Sequence, residues 1–337
     1  MKLKTTVTAL TLAATLTLPL AACSSGSGST SAELPAKVRI AYQIIPNGDL
    51  VVKNQGLLEA AFGDNVTVEW NLFDSGGNVN QAIAAGSIDI GLVGSSPVSR
   101  GLSSGIEYIV PWIHDVIGEA EALAVTGSVT SLADLAGKTV ATPFSSTAHY
   151  SLLAALADAG VDESSVNIID SEPDAILAAW KAGQIDAAYV WNPVLAELLA
   201  DGGHILVSSA DMAAKGKQTY DLAVVTKAFA DQYPAAVQTW VDQEAAAVAQ
   251  ILAGDQKAFD SIAAEAGITA DDAKAQMAGY IYVSAADQAS ESYLGKVVPD
   301  NIYAAAQFNL GLGQITSVLP EADYKACVVA TYAGAVK

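Results

Sequence analysis

The sequence predicts an α/β fold of two lobes, each a mixed, mainly parallel sheet flanked by helices, with two crossover strands at the hinge. Three observations carry this expectation. Strand-like and helix-like segments alternate from residue 37 on, the pattern of a sheet whose strands are joined by helical crossovers. A short unit is used twice: Ala85-Gly86-Ser87-Ile88-Asp89 returns as Ala182-Gly183-Gln184-Ile185-Asp186, each time closing a helix, opening a strand and leading to a capped proline, Ser96-Pro97 and then Asn192-Pro193. A chain of 337 residues, 52% hydrophobic and 15% charged, can also bury a core large enough to divide into two lobes.

The elements follow in order. Residues 37–43 read as a first strand that delivers Gln43 at its carboxyl end, 47–62 as a helix, and 66–72 as a strand with clean alternation. Phe73-Asp74-Ser75-Gly76-Gly77 opens a helix over 78–85, with Gly86 as its stop. Residues 89–101 then bring an apolar strand out into a helix start, where Gly94 permits the bend, Ser96 is the expected N-cap and Pro97 fits the first helical position. Such an opening presents bare N–H groups and is an anion site. Strands are expected at 106–113 and 120–126, then a short capped helix at 128–136. The second lobe repeats the arrangement, since 137–142 is strand-like and 143–150 leads into a helix over 150–158, so two openings face one anion from opposite sides. Residues 221–226 resemble 120–126, and these two strands read as the crossovers, with the cleft between them. From 227 on the chain is Ala-rich and helical and is expected to return over the first lobe. The divisions are 37–124 for the first part of lobe one, 125–220 for lobe two and 221–337 for the completion of lobe one.

The N-terminus reads as a secretory signal over 1–22, with Lys2 and Lys4 before an apolar run over 7–20. It ends in Leu20-Ala21-Ala22-Cys23, which resembles the bacterial lipobox, so Cys23 is expected to carry a lipid and to become the mature N-terminus, followed by a Gly/Ser-rich tether within 23–36. Cys327 reads as a packed thiol. Removing the signal takes two lysines and no acidic residue, so the formal charge of −20 becomes more negative still and nucleic acid is excluded as a partner. Such a field repels a plain anion and leaves a zwitterion nearly unaffected. His114, His149 and His204 have no second ligand at metal spacing, so neither a metal site nor a cofactor is expected. Gly101-Leu102-Ser103-Ser104-Gly105 has the form of a nucleophile elbow but closes a helix before a strand, the reverse of what that turn needs.

Several segments together resemble the substrate-binding proteins of ABC importers for sulfonates and nitrate, and above all their taurine branch. They are Tyr42-Gln43, Phe73-Asp74-Ser75-Gly76, Gly94-Ser95-Ser96-Pro97, Glu121-Ala122-Leu123, Pro143-Phe144 with Ser146-Thr147 and residues 149–156, Ala179-Trp180, Ala188-Tyr189-Val190-Trp191 with Pro193, and Asp221. The match runs in register from Val38 to Pro234. Gly-Ser-Ser-Pro is common to the wider group, whereas the long match from Pro143 and Tyr189-Val190-Trp191 belong to the taurine branch. Ala148 departs from that pattern, which often has a second threonine there.

The resemblance implies a periplasmic-binding-protein type II fold and a non-enzymatic monomer outside the cytoplasm, held to the membrane through Cys23. Its partners would be a membrane permease and ATPase subunits. Taurine carries a sulfonate and an ammonium, so the implied site has donors at one end, Gln43, Ser75, Ser95, Ser96, Ser146 and Thr147 with the two helix starts. At the other end stand the acceptors Glu121 and Asp221, with Trp191 as an aromatic face for a cation. The plainer alternatives are that the two acids order backbone or pair with a lysine and that Trp191 is core. Asp74 is expected to order its own loop. An alkanesulfonate or another small zwitterion is the alternative ligand, and a ligand-modifying enzyme on the same fold is the alternative of a different class.

Overall fold

The repeated unit closes into two separate sheets. The structure is a computed structural model that describes residues 33–337, and these form one compact unit. The signal segment, Cys23 and the tether as far as residue 32 lie outside the described residues. In chain order the strands are β1 (Lys37–Tyr42), β2 (Thr67–Leu72), β3 (Ile90–Gly94), β4 (Tyr108–Ile117), β5 (Glu121–Val125), β6 (Thr139–Thr142), β7 (Asn167–Asp170), β8 (Ala187–Trp191), β9 (His204–Ser208), β10 (Tyr220–Thr226) and β11 (Tyr280–Ile281). The first sheet has the order β11-β4-β10-β3-β1-β2 and the second β7-β6-β8-β5-β9.

Each sheet has a parallel kernel of three strands in the same order, β2-β1-β3 and β7-β6-β8, and each kernel ends on an antiparallel strand, β10 and β5. Antiparallel pairing is more extensive than the sequence pattern implied, because β4, β10, β11, β5 and β9 all run against a neighbour. The two echoes do the same work in their own lobes. Asp89 accepts from the Arg39 N–H at 2.9 Å and Asp186 from the Thr139 N–H at 2.9 Å, so each carboxylate ties the strand it precedes to the first strand of its kernel. Gly86 (φ 71°) and Gly183 (φ 65°) close the preceding helices in the left-handed conformation that glycine adopts without steric cost.

Three local expectations differ from the structure. The helix expected over 47–62 is two helices, Gly48–Gln55 and Leu57–Phe62, broken at Gly56, whose φ of 63° ends the first. Strand β4 runs on through His114 and Asp115 to Ile117, past the point where polar residues hid the pattern. The strand expected as a crossover at 120–126 belongs wholly to the second sheet, and β10 wholly to the first. The chain therefore crosses at residues 118–120, ahead of the expected division at 124. The crossing is tight: a Cβ on Gly118 would lie 2.7 Å from the Gly279 carbonyl oxygen, and the Ala120 N–H donates to that oxygen at 3.1 Å.

The cores are separate as well. One joins Ile40, Leu50, Trp112, Leu222, Trp240 and Ile262, so the helices Pro234–Leu252 and Gln256–Ala266 do cover the first sheet. The other joins Leu123, Val140, Leu152, Tyr189 and Leu198. Two cores joined by short crossings are what a cleft between lobes needs.

A candidate binding cleft between the two sheets

Where the carboxyl ends of the two kernels face each other, Gln43, Ile45, Gly76, Gly94, Pro97, Ile117, Glu121, Ser146, Thr147, Trp191, Asp221 and Tyr280 surround a pinched cavity. They bound about 320 Å³ of atom-free space, of which the centre of a water molecule can reach about 20 Å³. That is room for about one water molecule, so the lobes are drawn together here and must part to admit a ligand.

One end is built from helix starts. Gly76 opens the helix Gly76–Ala84, Gly94 precedes Ser95–Ser103, and Ser146 caps Thr147–Asp158. The N–H groups of a first turn have no partner within the helix, and the peptide dipoles add a partial positive charge there. Glycine is what lets the three starts converge. A Cβ on Gly76 would lie 3.3 Å from the Gly94 nitrogen, and one on Gly94 only 2.6 Å from Thr147 Cγ2 across the cleft. Ser145 takes the left-handed conformation at φ 64° and turns the chain into the Ser146 cap.

The nominated hydroxyls do not all point into this end. Ser75, Ser95 and Ser96 are buried but stand behind the cavity wall, where Gly76, Gly94 and Pro97 take their places. Ser75 donates to Glu172 at 3.2 Å, Ser95 Oγ accepts from the Tyr220 N–H at 3.3 Å, and Ser96 Oγ accepts from Asn309 at 3.3 Å. Nor is Ser96 the N-cap: the helix begins at Ser95, because extended Gly94 (φ −61°, ψ 156°) already supplies the bend. Ser146 and Thr147 do line the cavity, yet Ser146 donates its hydrogen to the Pro143 carbonyl at 2.6 Å and Thr147 donates to Glu121 at 2.6 Å. Gln43 donates to the Leu92 carbonyl at 3.1 Å. The polar capacity of this end therefore rests mainly on backbone N–H groups. Ala148 is fully buried and outside the cavity wall.

The other end is acidic. Glu121 and Trp191 are register partners on β5 and β8, and both line the cavity with Asp221. Burial pushes the Glu121 carboxyl up to about 7, although hydroxyls of Ser209 and Thr147, each at 2.6 Å, hold it down. Burial, with the Glu121 charge nearby, pushes Asp221 up to about 8. A third acid, Asp115, lies directly opposite Asp221 in the β4–β10 pairing; burial and then the Asp221 charge raise it well above the usual carboxylate range. Neither Asp115 oxygen has a hydrogen-bond partner, and neither does the Tyr280 hydroxyl, which reaches the cavity from β11. No lysine pairs with Glu121 or Asp221 among the described residues. Burial holds these acids toward their protonated form, and a buried positive charge beside them would favour ionisation.

Sequence reasoning missed Asp115, Tyr280, Ile117 and Ile45. Asp115 sat where the strand was thought to have ended, and Tyr280 in a tail without motif. The elbow-like pentapeptide has the ordinary role expected of it: Ser103 ends a helix, donates to the Ser99 carbonyl at 2.7 Å and pairs with the Tyr324 hydroxyl at 2.7 Å. Cys327 is a buried thiol pushed up to about 12 by burial, with Sγ 3.0 Å from the Tyr324 carbonyl oxygen.

Known proteins resemble this chain in sequence and fold. Residues 36–266 match the family described as the substrate-binding domain of ABC-type glycine betaine transport systems. The taurine-binding periplasmic protein of Escherichia coli strain K12 is 33% identical over 287 residues, covering 83% of this chain and 88% of its own. A putative aliphatic sulfonates-binding protein of the same organism is 28% identical over 207 residues, 60% of this chain and 63% of its own. The crystal structure of the periplasmic aliphatic sulphonate binding protein of Escherichia coli superposes with a TM-score of 0.70 at 22% identity, over 89% of this chain and 100% of that one, and shows the common fold. By the family match over most of its length and a one-third identical relative, the chain belongs to the substrate-binding proteins of ABC importers, with periplasmic-binding-protein type II architecture.

Proposed function

We propose that this protein is the extracytoplasmic binding component of an ABC importer, anchored by a lipid on Cys23, and that it takes taurine between its lobes and presents it, unchanged, to a permease driven by ATPase subunits. The observation that carries the reading is a cavity lined both by three helix starts and by the acids Glu121 and Asp221, with Asp115 paired opposite Asp221. A sulfonate satisfies the N–H end and an ammonium the acidic end. Closure brings the helix starts together, since those at Gly76 and Gly94 belong to the first sheet and that at Thr147 to the second. Several charge-assisted hydrogen bonds, each contributing about 1.5–3 kcal/mol, reach the ~8 kcal/mol of micromolar affinity. No covalent step, cofactor or second copy is invoked.

An alkanesulfonate would leave the acids without a cation in the closed cleft, and this favours the zwitterion. Calorimetric titration of residues 33–337 with taurine, ethanesulfonate and ethylamine tests the reading. Tight taurine binding with both half-ligands weak is expected. Equal binding of ethanesulfonate would make this a general sulfonate binder, and no heat with any of the three would end the taurine assignment.

A further inference from the structure

A second set of ionisable side chains lies in the core of the first lobe. Asp49 in the first turn of Gly48–Gln55, His114 on β4 and Glu244 in Pro234–Leu252 each offer a ligand atom, all within 4.8 Å of one another. His114 Nε2 is 3.7 Å from Asp49 Oδ2, and His114 Nδ1 is 3.6 Å from Glu244 Oε2. All three residues are at most 1% exposed, and none of their six side-chain polar atoms has a hydrogen-bond partner. None of the three lines the cleft cavity, although Asp115, the chain neighbour of His114, pairs with Asp221 of the cleft.

Burial raises both carboxyls, which lie close enough to share a proton, but the two His114 nitrogens are left without any partner, which is rare in a folded core. The separations of 3.6 and 3.7 Å are too long for direct hydrogen bonds. Either one suits an ion between that nitrogen and that carboxylate, because two ligand atoms each about 2.1 Å from a tetrahedral Zn²⁺ sit about 3.4 Å apart, and the second carboxylate offers an oxygen within 4.8 Å. Charge agrees, since two carboxylates and a neutral imidazole around a divalent ion form a neutral complex, the form that a low-dielectric interior accepts. Glu244 is seated for such a role: a Cβ on Gly48 would lie 2.5 Å from its Oε2, and glycine alone lets the carboxylate come against the start of the helix that carries Asp49.

We infer that Asp49, His114 and Glu244 form a structural site for a divalent transition-metal ion of the Zn²⁺ type, one imidazole nitrogen and an oxygen of each carboxylate binding the ion. Local spacing gave no hint of it because the three ligands come from a helix, a strand and a second helix far apart in the chain. The burial means that the ion enters during folding and is not exchanged in the native state.

The test uses residues 33–337, which form one compact unit. The protein is unfolded in guanidinium with chelator, refolded with Zn²⁺, with Co²⁺ or without metal, passed through gel filtration and analysed by elemental mass spectrometry. About one Zn²⁺ per chain, resistant to chelator until the protein is unfolded, and visible d–d bands with Co²⁺ are expected. Glu244→Gln should lose the ion and the cleft variant Asp221→Asn should keep it. A wild-type protein that refolds fully, by near-ultraviolet circular dichroism, with less than about a tenth of an equivalent of either ion overturns the inference, whatever the variants do. So does an ion kept by folded Glu244→Gln and lost by Asp221→Asn, which would place it in the cleft.

Discussion

Gly94→Ala tests whether the two lobes must meet for ligand to be held. The new Cβ would lie 2.6 Å from Thr147 Cγ2 on the opposite lobe, while its contacts with Pro97 in its own lobe, at 3.4 and 3.5 Å, are ordinary. Thr147 cannot simply rotate away, because its hydroxyl is committed to Glu121 at 2.6 Å. The strain therefore falls on the closed form alone. Overpacking of this kind costs about 1–3 kcal/mol, which raises the dissociation constant for taurine roughly 5- to 150-fold. The melting temperature of the ligand-free protein should hardly change, since Gly94 has φ −61°, which alanine adopts freely. Thr147→Ser removes Cγ2 and keeps the hydroxyl, so Gly94→Ala with Thr147→Ser should recover most of the affinity. Titration calorimetry of the four proteins, with calorimetric melts of each without ligand, gives the answer. Unchanged affinity in Gly94→Ala, or a double variant no better than the single, would refute closure across this contact.

Three further outcomes follow from the same geometry. Binding an ammonium favours the ionised acids, so with Glu121 near 7 and Asp221 near 8 in the free site, taurine binding at pH 7 should release about one proton, and affinity should rise with pH toward 8; titrations in buffers of different ionisation enthalpy would count it, and a count of zero would remove the cation from the acidic end. Because folding raises these acids above their ordinary range, the folded form holds more protons than the unfolded, and stability of the ligand-free protein should fall between pH 6.5 and 8, with a shallower fall in Glu121→Gln; thermal melts across that window, above the ordinary range of His114, would show a flat profile if the argument is wrong. Glu172 accepts from Ser75 and Asn78 of the other lobe at 3.2 and 2.8 Å, and Glu172→Ala should weaken taurine roughly fivefold, about 1 kcal/mol, without uncapping its helix; equal affinity in both proteins would show that this contact is not a latch.

Much of the cleft was legible in the chain because its makers are local. Gly94 with Pro97 announces one helix start, and residues 143–150 announce the second, which begins at Thr147 and so earlier than the expected 150; both line the cavity. Glu121 and Asp221 were named through the family resemblance, on the two strands read as crossovers. The hydroxyls were less legible, since whether Ser75 faces a ligand or Glu172 depends on where the second lobe lies. Asp115 was hidden for a related reason: its meaning comes from the residue opposite it on β10, more than a hundred positions later.

What the sequence by itself determined is the alternation, the twofold use of one unit and the position of the turns, because these follow from periodicity and from the backbone freedom of glycine and proline. Only the tertiary structure decided which strand belongs to which sheet, which hydroxyls turn away from the cavity, and that Asp49, His114 and Glu244 meet at all. Those outcomes are set by strand register and by which helix packs on which face, and register depends on partners distant in the chain. The raised acids of the cleft and the orphaned atoms of the first core are both products of that distant pairing, and no local pattern carries either.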